Sequence, residues 1–133
     1  MPQNLYDLSG TRTLECTPDG KKLETDRDAV ELIGEALQLG ASLVVIPVER
    51  FGDDFFRLRT RVAGEIVQKF VQYRRHLAIV GDISKYAAES SAFAAFVNEA
   101  NRGQEVWFVR DPSELEGRLK QREIIASESR HSG

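Results

Sequence analysis

Two short runs of apolar residues, Leu43-Val44-Val45-Ile46 and Leu77-Ala78-Ile79-Val80, enclose a helix-patterned stretch from Asp53 to Tyr73. Parallel strands cannot be joined by a tight turn. They need a crossover of a dozen or more residues, usually a helix. Strand, long helix, strand is therefore a βαβ unit, and it predicts a parallel sheet. In open parallel sheets ligands bind beyond the carboxyl ends of the strands, so the same unit locates a site without naming its chemistry.

A chain of 133 residues is sized for one domain, expected over residues 1–126. Residues 127–133, Ser-Glu-Ser-Arg-His-Ser-Gly, offer no large apolar side chain and read as a disordered tail. With 18 basic against 21 acidic side chains the formal charge is −3, which supplies no global field for nucleic acid. No run approaches the roughly 18 apolar residues of a membrane span. The N-terminus Met-Pro-Gln-Asn-Leu-Tyr-Asp lacks the basic and apolar regions of a signal peptide. Cys16 is the only cysteine, so no intrachain disulfide and no cysteine-rich metal site can form. A reducing cytoplasm fits these features, and no cofactor is implied.

Arg12 to Cys16 and Lys21 to Thr25 flank Thr17-Pro18-Asp19-Gly20, which reads as a hairpin turn. Residues 26–39 carry Ala29, Val30, Ile33, Ala36 and Leu37 at helical spacing, with Thr25 or Asp26 as N-cap and Gly40 as C-cap. A strand over residues 41–48 ends at Pro47. Residues 53–73 predict one long helix, whose arc holds Phe55, Leu58, Val62, Ala63, Ile66, Val67, Phe70 and Tyr73. A strand over 76–81, a helix over 84–102 and a strand over 105–109 follow. Asp111-Pro112-Ser113-Glu114 then starts a last helix that runs to about Arg122. The expected fold is a single α/β domain, a mixed, mostly parallel sheet of about five strands with an N-terminal hairpin and about four helices.

The segments LVVIPVERF (43–51), DFFRLRTRVAGEIVQKFVQY (54–73), LAIVGDIS (77–84) and NEANRGQEVWFV (98–109) together resemble the bacterial family DUF4180, a domain of unknown function. That resemblance implies membership over about residues 11–122 and no activity. The element order is more remotely similar to STAS domains, the cytoplasmic anti-sigma-factor antagonists, and implies a regulatory switch acting through protein contacts. In those domains a regulatory Ser or Thr opens the helix after a central strand. The matching positions here, Gly52-Asp53-Asp54-Phe55, contain no hydroxyl, and Thr60 falls inside the predicted helix.

The predicted strand ends collect Glu49, Arg50, Asp53 and Asp54, then Asp82, Ser84 and Lys85, then Arg110 and Asp111. Three carboxylates at one edge can hold Mg²⁺; the plainer reading makes Asp53 and Asp111 helix caps, Asp54 a partner of a helix dipole and Glu49 solvated. No Walker loop or GxGxxG supports a nucleotide site, and neither His76 nor His131 has partners for a hydrolytic triad. Arg57, Arg61, Lys69, Arg74 and Arg75 are interspersed with acidic and amide residues and read as a solvated face. Arg59 breaks its pattern. On the predicted helix it falls about 60° from Val62, within the apolar arc. Such an arginine either pairs with Asp82 or Glu49 or binds an anion with its planar fork.

Two functions compete on this reading. One is a non-enzymatic regulatory domain acting through a protein partner or as a homodimer, without nucleic acid or membrane. The other is an anion-binding protein or enzyme built on Arg59, Asp82, Glu49, Arg50, Asp53, Asp54 and Ser84. A concave pocket lined by those side chains favours the second, and an edge filled by Phe51, Phe55 and Tyr86 favours the first.

Overall fold

A computed structural model describes residues 4–131, with side chains to residue 122. The expected tail lies partly outside them, at residues 132 and 133. The sheet has five strands in sequential order: β1 (Asn4–Leu8), β2 (Thr11–Glu15), β3 (Leu43–Pro47), β4 (His76–Val80) and β5 (Val106–Val109). β1 and β2 are antiparallel; β2, β3, β4 and β5 are mutually parallel. Five helices accompany them: α1 (Asp26–Leu39), α2 (Val62–Gln72), α3 (Ser84–Glu89), α4 (Ser91–Arg102) and α5 (Pro112–His131).

Crossovers between parallel strands are right-handed. When each new strand is added on the same side of the last, every crossover helix falls on one face. Leu14, Val44, Ile46, Leu77, Ile79, Val106 and Phe108 point to that face and pack with Ala29, Ile33, Ala36, Ala63, Ile66, Phe70, Phe93 and Val97 of α1, α2 and α4. Leu43, Val45, Ala78, Trp107 and Val109 point to the other, beneath Leu115 and Leu119 of α5. Strand order never reverses, so the sheet has no switch point between crossovers to open a crevice at its carboxyl edge.

Local signals set the ends of α1 and α5. Thr25 Oγ1 accepts from Asp28 N–H at 3.3 Å and the Asp28 carboxylate accepts from Thr25 N–H at 3.1 Å, a reciprocal capping box. Gly40 closes α1 in the left-handed conformation. Asp111 Oδ1 accepts from Glu114 N–H at 2.9 Å, and Glu114 Oε1 from Arg110 N–H at 2.8 Å. The backbone of α5 remains helical to His131, past the expected end near Arg122 and through residues 127–131.

The hairpin is not the one expected. β2 pairs with β1 around Ser9-Gly10, both at positive φ (49° and 80°), the backbone of a two-residue hairpin turn. Residues 17–25 instead cross the carboxyl edge, where Leu23 bridges to Phe51 in parallel. Leu23 and Cys16 are both buried, so this segment is drawn into the core rather than paired out to solvent.

The long helix also breaks. Residues 53–60 form short 3-10 turns, Arg61 takes φ 68°, and α2 begins only at Val62. Consecutive Phe55 and Phe56 are both buried, at 0% and 5% exposure. An α-helix would turn them about 100° apart, one of them away from the core. The Thr60 hydroxyl lies 2.7 Å from the carbonyls of both Asp54 and Arg57 and shares its one proton between them, tying the two turns together. The expected helix over 84–102 divides at Ser90, whose Oγ accepts from Phe93 N–H at 3.1 Å and caps α4.

Candidate functional site

The carboxyl edge is closed by aromatic packing. Phe51 lies 4.2 Å from Phe55 between ring centroids, Phe55 meets Phe56 edge-on at 5.3 Å, and Phe56 stacks on Tyr86 at 3.8 Å with planes 9° apart. At the same edge Arg50 is 7% exposed. Its Nε donates to Lys21 O at 2.8 Å and its Nη1 to Thr17 O at 2.9 Å. A Cβ on Gly20 would stand 2.5 Å from Arg50 Cζ, so only glycine lets the backbone lie flat against the guanidinium. Arg50 therefore fastens residues 17–21 to the edge.

The other strand-end groups are dispersed. Asp82 Oδ1 accepts from Ser84 N–H at 2.9 Å and Ser84 Oγ at 2.6 Å, and the serine bonds hold its carboxyl below the ordinary 3.8. Both residues thereby belong to the start of α3. Glu49 is exposed, and its carbonyl accepts from Lys22 Nζ at 2.6 Å. Asp54 lies 3.9 Å from Arg57 Nη1, with both side chains more than 60% exposed, a pairing of little energetic weight. Among the described residues no three His, Cys, Asp or Glu side chains group as metal ligands. No helix there is long and apolar enough to cross a membrane.

Arg59 is the main correction. The broken helix removes the apolar arc on which it was placed, and the side chain is exposed in a 3-10 turn. It pairs with neither Asp82 nor Glu49. It lines a cleft of about 720 Å³ between the 53–60 segment and α3, together with Asp53, Arg57, Lys85, Tyr86 and Glu89. Phe56, Leu58, Ser90 and Ala92 complete the wall. Of the expected set only Arg59 and Asp53 meet there; Glu49, Arg50, Asp54, Asp82 and Ser84 do not. Neither Arg59 nor Lys85 has a carboxylate within 4 Å among the described residues. The cleft thus sets Arg59 and Lys85, neither in a contact ion pair among the described residues, beside an aromatic wall, with Asp53 and Glu89 also in its lining. Phe56, Glu89 and Ser90 were not singled out in the sequence. The Phe55-Phe56 pair, anomalous in an amphipathic helix, was the available signal.

A second buried polar cluster sits at the opposite edge. His76, 9% exposed, meets Trp107 edge-on at 4.3 Å, and Arg122 Nη1 donates to its Nδ1 at 2.7 Å. Arg118 lies over the Trp107 ring at 4.4 Å and donates to Asn101 O at 2.6 Å. Burial, then the charges of Arg122 and Arg118, depress His76 to about 3. With Nδ1 accepting, the neutral ring carries its proton on Nε2, which has no partner among the described residues.

Residues 8–119 match the family model of a domain of unknown function, DUF4180. No curated protein and no solved structure matches the chain.

Proposed function

We infer that this chain, which belongs to the DUF4180 family, is a non-catalytic binding domain that recognises an anionic group in the cleft between residues 53–60 and α3. The observation that carries this reading is the pair Arg59 and Lys85, lining one cleft with no carboxylate within 4 Å of either among the described residues. A guanidinium suits carboxylate or phosphate because its donors form a planar fork. Phe56, Leu58 and Tyr86 add an apolar wall for the body of such a ligand. Binding rather than catalysis is supported by the use of the Asp82 carboxylate by Ser84 and of Asp111 as the cap of α5, which leaves no convergent acid and base at the strand ends among the described residues. A bacterial cytoplasmic setting and a regulatory role, with the bound group as the signal or as part of a protein partner, complete the proposal. Buried, lone Cys16 suits a reducing compartment.

Thermal unfolding with inorganic phosphate or citrate, against sodium chloride of matched ionic strength, tests the reading. A tenfold excess over Kd should raise the Tm by about 5 °C. Arg59→Glu should abolish the rise while leaving the unliganded Tm within about 2 °C, because the side chain is exposed. No rise, or an equal rise in the variant, would refute the proposal.

A further inference from the structure

The two edges of the sheet are finished differently. All four β5 residues are buried. The Asn101 carboxamide is fastened to the outer side of that strand: Phe108 N–H donates to Asn101 Oδ1 at 2.7 Å, and Asn101 Nδ2 donates to Phe108 O at 3.2 Å. Those are bonds an added strand would make at Phe108, and there they are already taken.

At β1 no residue is buried. The two-residue turn at Ser9-Gly10 makes Leu8–Thr11 a hydrogen-bonded pair, and alternation makes Tyr6–Thr13 and Asn4–Glu15 the next. The same parity turns the even residues of β2 toward β3, where Ser42 N–H donates to Arg12 O at 3.0 Å and Cys16 N–H to Val45 O at 2.9 Å. The backbone N–H and C=O of Leu5 and Asp7 therefore point away from the sheet. No described residue pairs with them.

We propose that β1 is the seam of a symmetric homodimer, in which β1 of a second copy adds antiparallel with the two-fold axis at Tyr6. Leu5 then lies opposite Asp7 of the second copy and Asp7 opposite its Leu5, so every outward N–H and C=O on the seam is paired. Tyr6 and Leu8 stay partly exposed on one face of β1. In this register Tyr6 meets the second copy's Tyr6 directly and its Leu8 diagonally, apolar cover that an arbitrary extended segment does not bring. The register sets Tyr6 against Tyr6 as the close, non-hydrogen-bonded pair, where cross-strand aromatic contacts are favourable. It also keeps the two Asp7 carboxylates from facing each other. Because Asn101 blocks the other edge at Phe108, β1 is the open edge strand among the described residues, and pairing stops at two chains instead of running on into a fibre.

Mass by light scattering across a dilution series is the first readout, and the native chain should give twice its 15.0 kDa. Asp7→Pro removes an outward N–H that only the seam uses, and proline is tolerated on an edge strand in that position. It should return the mass to one chain with an unchanged circular dichroism spectrum. Should that variant fail to fold, mild oxidation of Tyr6→Cys decides instead. Non-hydrogen-bonded partners have Cα atoms about 4.5 Å apart, within disulfide reach, whereas Asp7→Cys would face its counterpart only diagonally. Cys16, 2% exposed, stays out of the reaction. A disulfide dimer from Tyr6→Cys and none from Asp7→Cys is expected. A one-chain mass up to roughly 0.5 mM, a dimer indifferent to Asp7→Pro, or equal crosslinking of the two cysteine variants would overturn the proposal.

Discussion

The carboxyl and amino edges of the parallel sheet each bury a nitrogen-rich side chain, and they solve the resulting desolvation problem in opposite ways. At the carboxyl edge Arg50 keeps its charge and is supplied with two carbonyl acceptors from residues 17–21. At the amino edge His76 is kept neutral between Trp107 and Arg122, and its Nε2 has no partner among the described residues. A guanidinium cannot shed its proton near neutral pH, so the chain must be brought to it. An imidazole can, so the cost of burial appears as a depressed pKa instead. The first solution shapes the backbone of a whole segment; the second makes stability depend on pH.

Removing the aromatic closure should have the largest effect on this contrast. Phe55 is fully buried among Phe51, Phe56 and Phe108, and Phe55→Ala should destabilise by about 3–5 kcal/mol in urea unfolding. A loss below about 1.5 kcal/mol would mean the edge collapses readily and is not held by that ring. Arg50→Ala follows, with an expected loss of about 2–4 kcal/mol, since two charge-assisted bonds disappear and two carbonyls lose their donors. Hydrogen exchange should show the damage concentrated in residues 17–25.

The amino edge is tested by pH. The free imidazole value is 6.5 and the folded value is about 3, so on acidification the unfolded chain takes up a proton that the native chain refuses. Stability contributed by neutral His76 is complete above pH 6.5 and is lost as pH falls toward 3, at up to about 1.4 kcal/mol per unit. From pH 7 to pH 5 the loss should be roughly 2 kcal/mol. His76→Gln should flatten that slope; an equal slope in the variant would assign it elsewhere. Asp28 does not confuse the window. Burial raises its carboxyl, but hydrogen bonds from Glu24 N–H, Lys21 and Thr25 N–H outweigh burial and hold it below 3.8, so its contribution fades only at lower pH.

The smallest effect belongs to the other arginine of the carboxyl edge. Arg59 is exposed and unpaired among the described residues, so Arg59→Ala should change stability by less than about 0.5 kcal/mol. A loss comparable to that of Arg50→Ala would erase the distinction between a structural and a ligand-facing guanidinium.

Sequence alone determined what is decided over a few residues. The runs 43–46, 77–80 and 106–109 are parallel strands because the helices between them leave no other direction. Thr25 with Asp28, Gly40, and Asp111 with Glu114 set their helix ends through bonds spanning at most four residues. Of the expected site, Asp111 was legible as a cap, whereas Asp82 and Ser84 were legible only as strand-end polar groups, and geometry alone ties them to each other. Tertiary structure alone decided which strand pairs with β2, because Leu23 gains more by entering the core beside Phe51 than by pairing in an exposed hairpin. It also decided that residues 53–60 leave the helix. Helical periodicity counts apolar positions without knowing the shape of the cavity they must fill, and Phe55 and Phe56 can both be buried only if the backbone turns more tightly there. That break sends Arg59 outward to the cleft wall, while Arg50 is buried against residues 17–21.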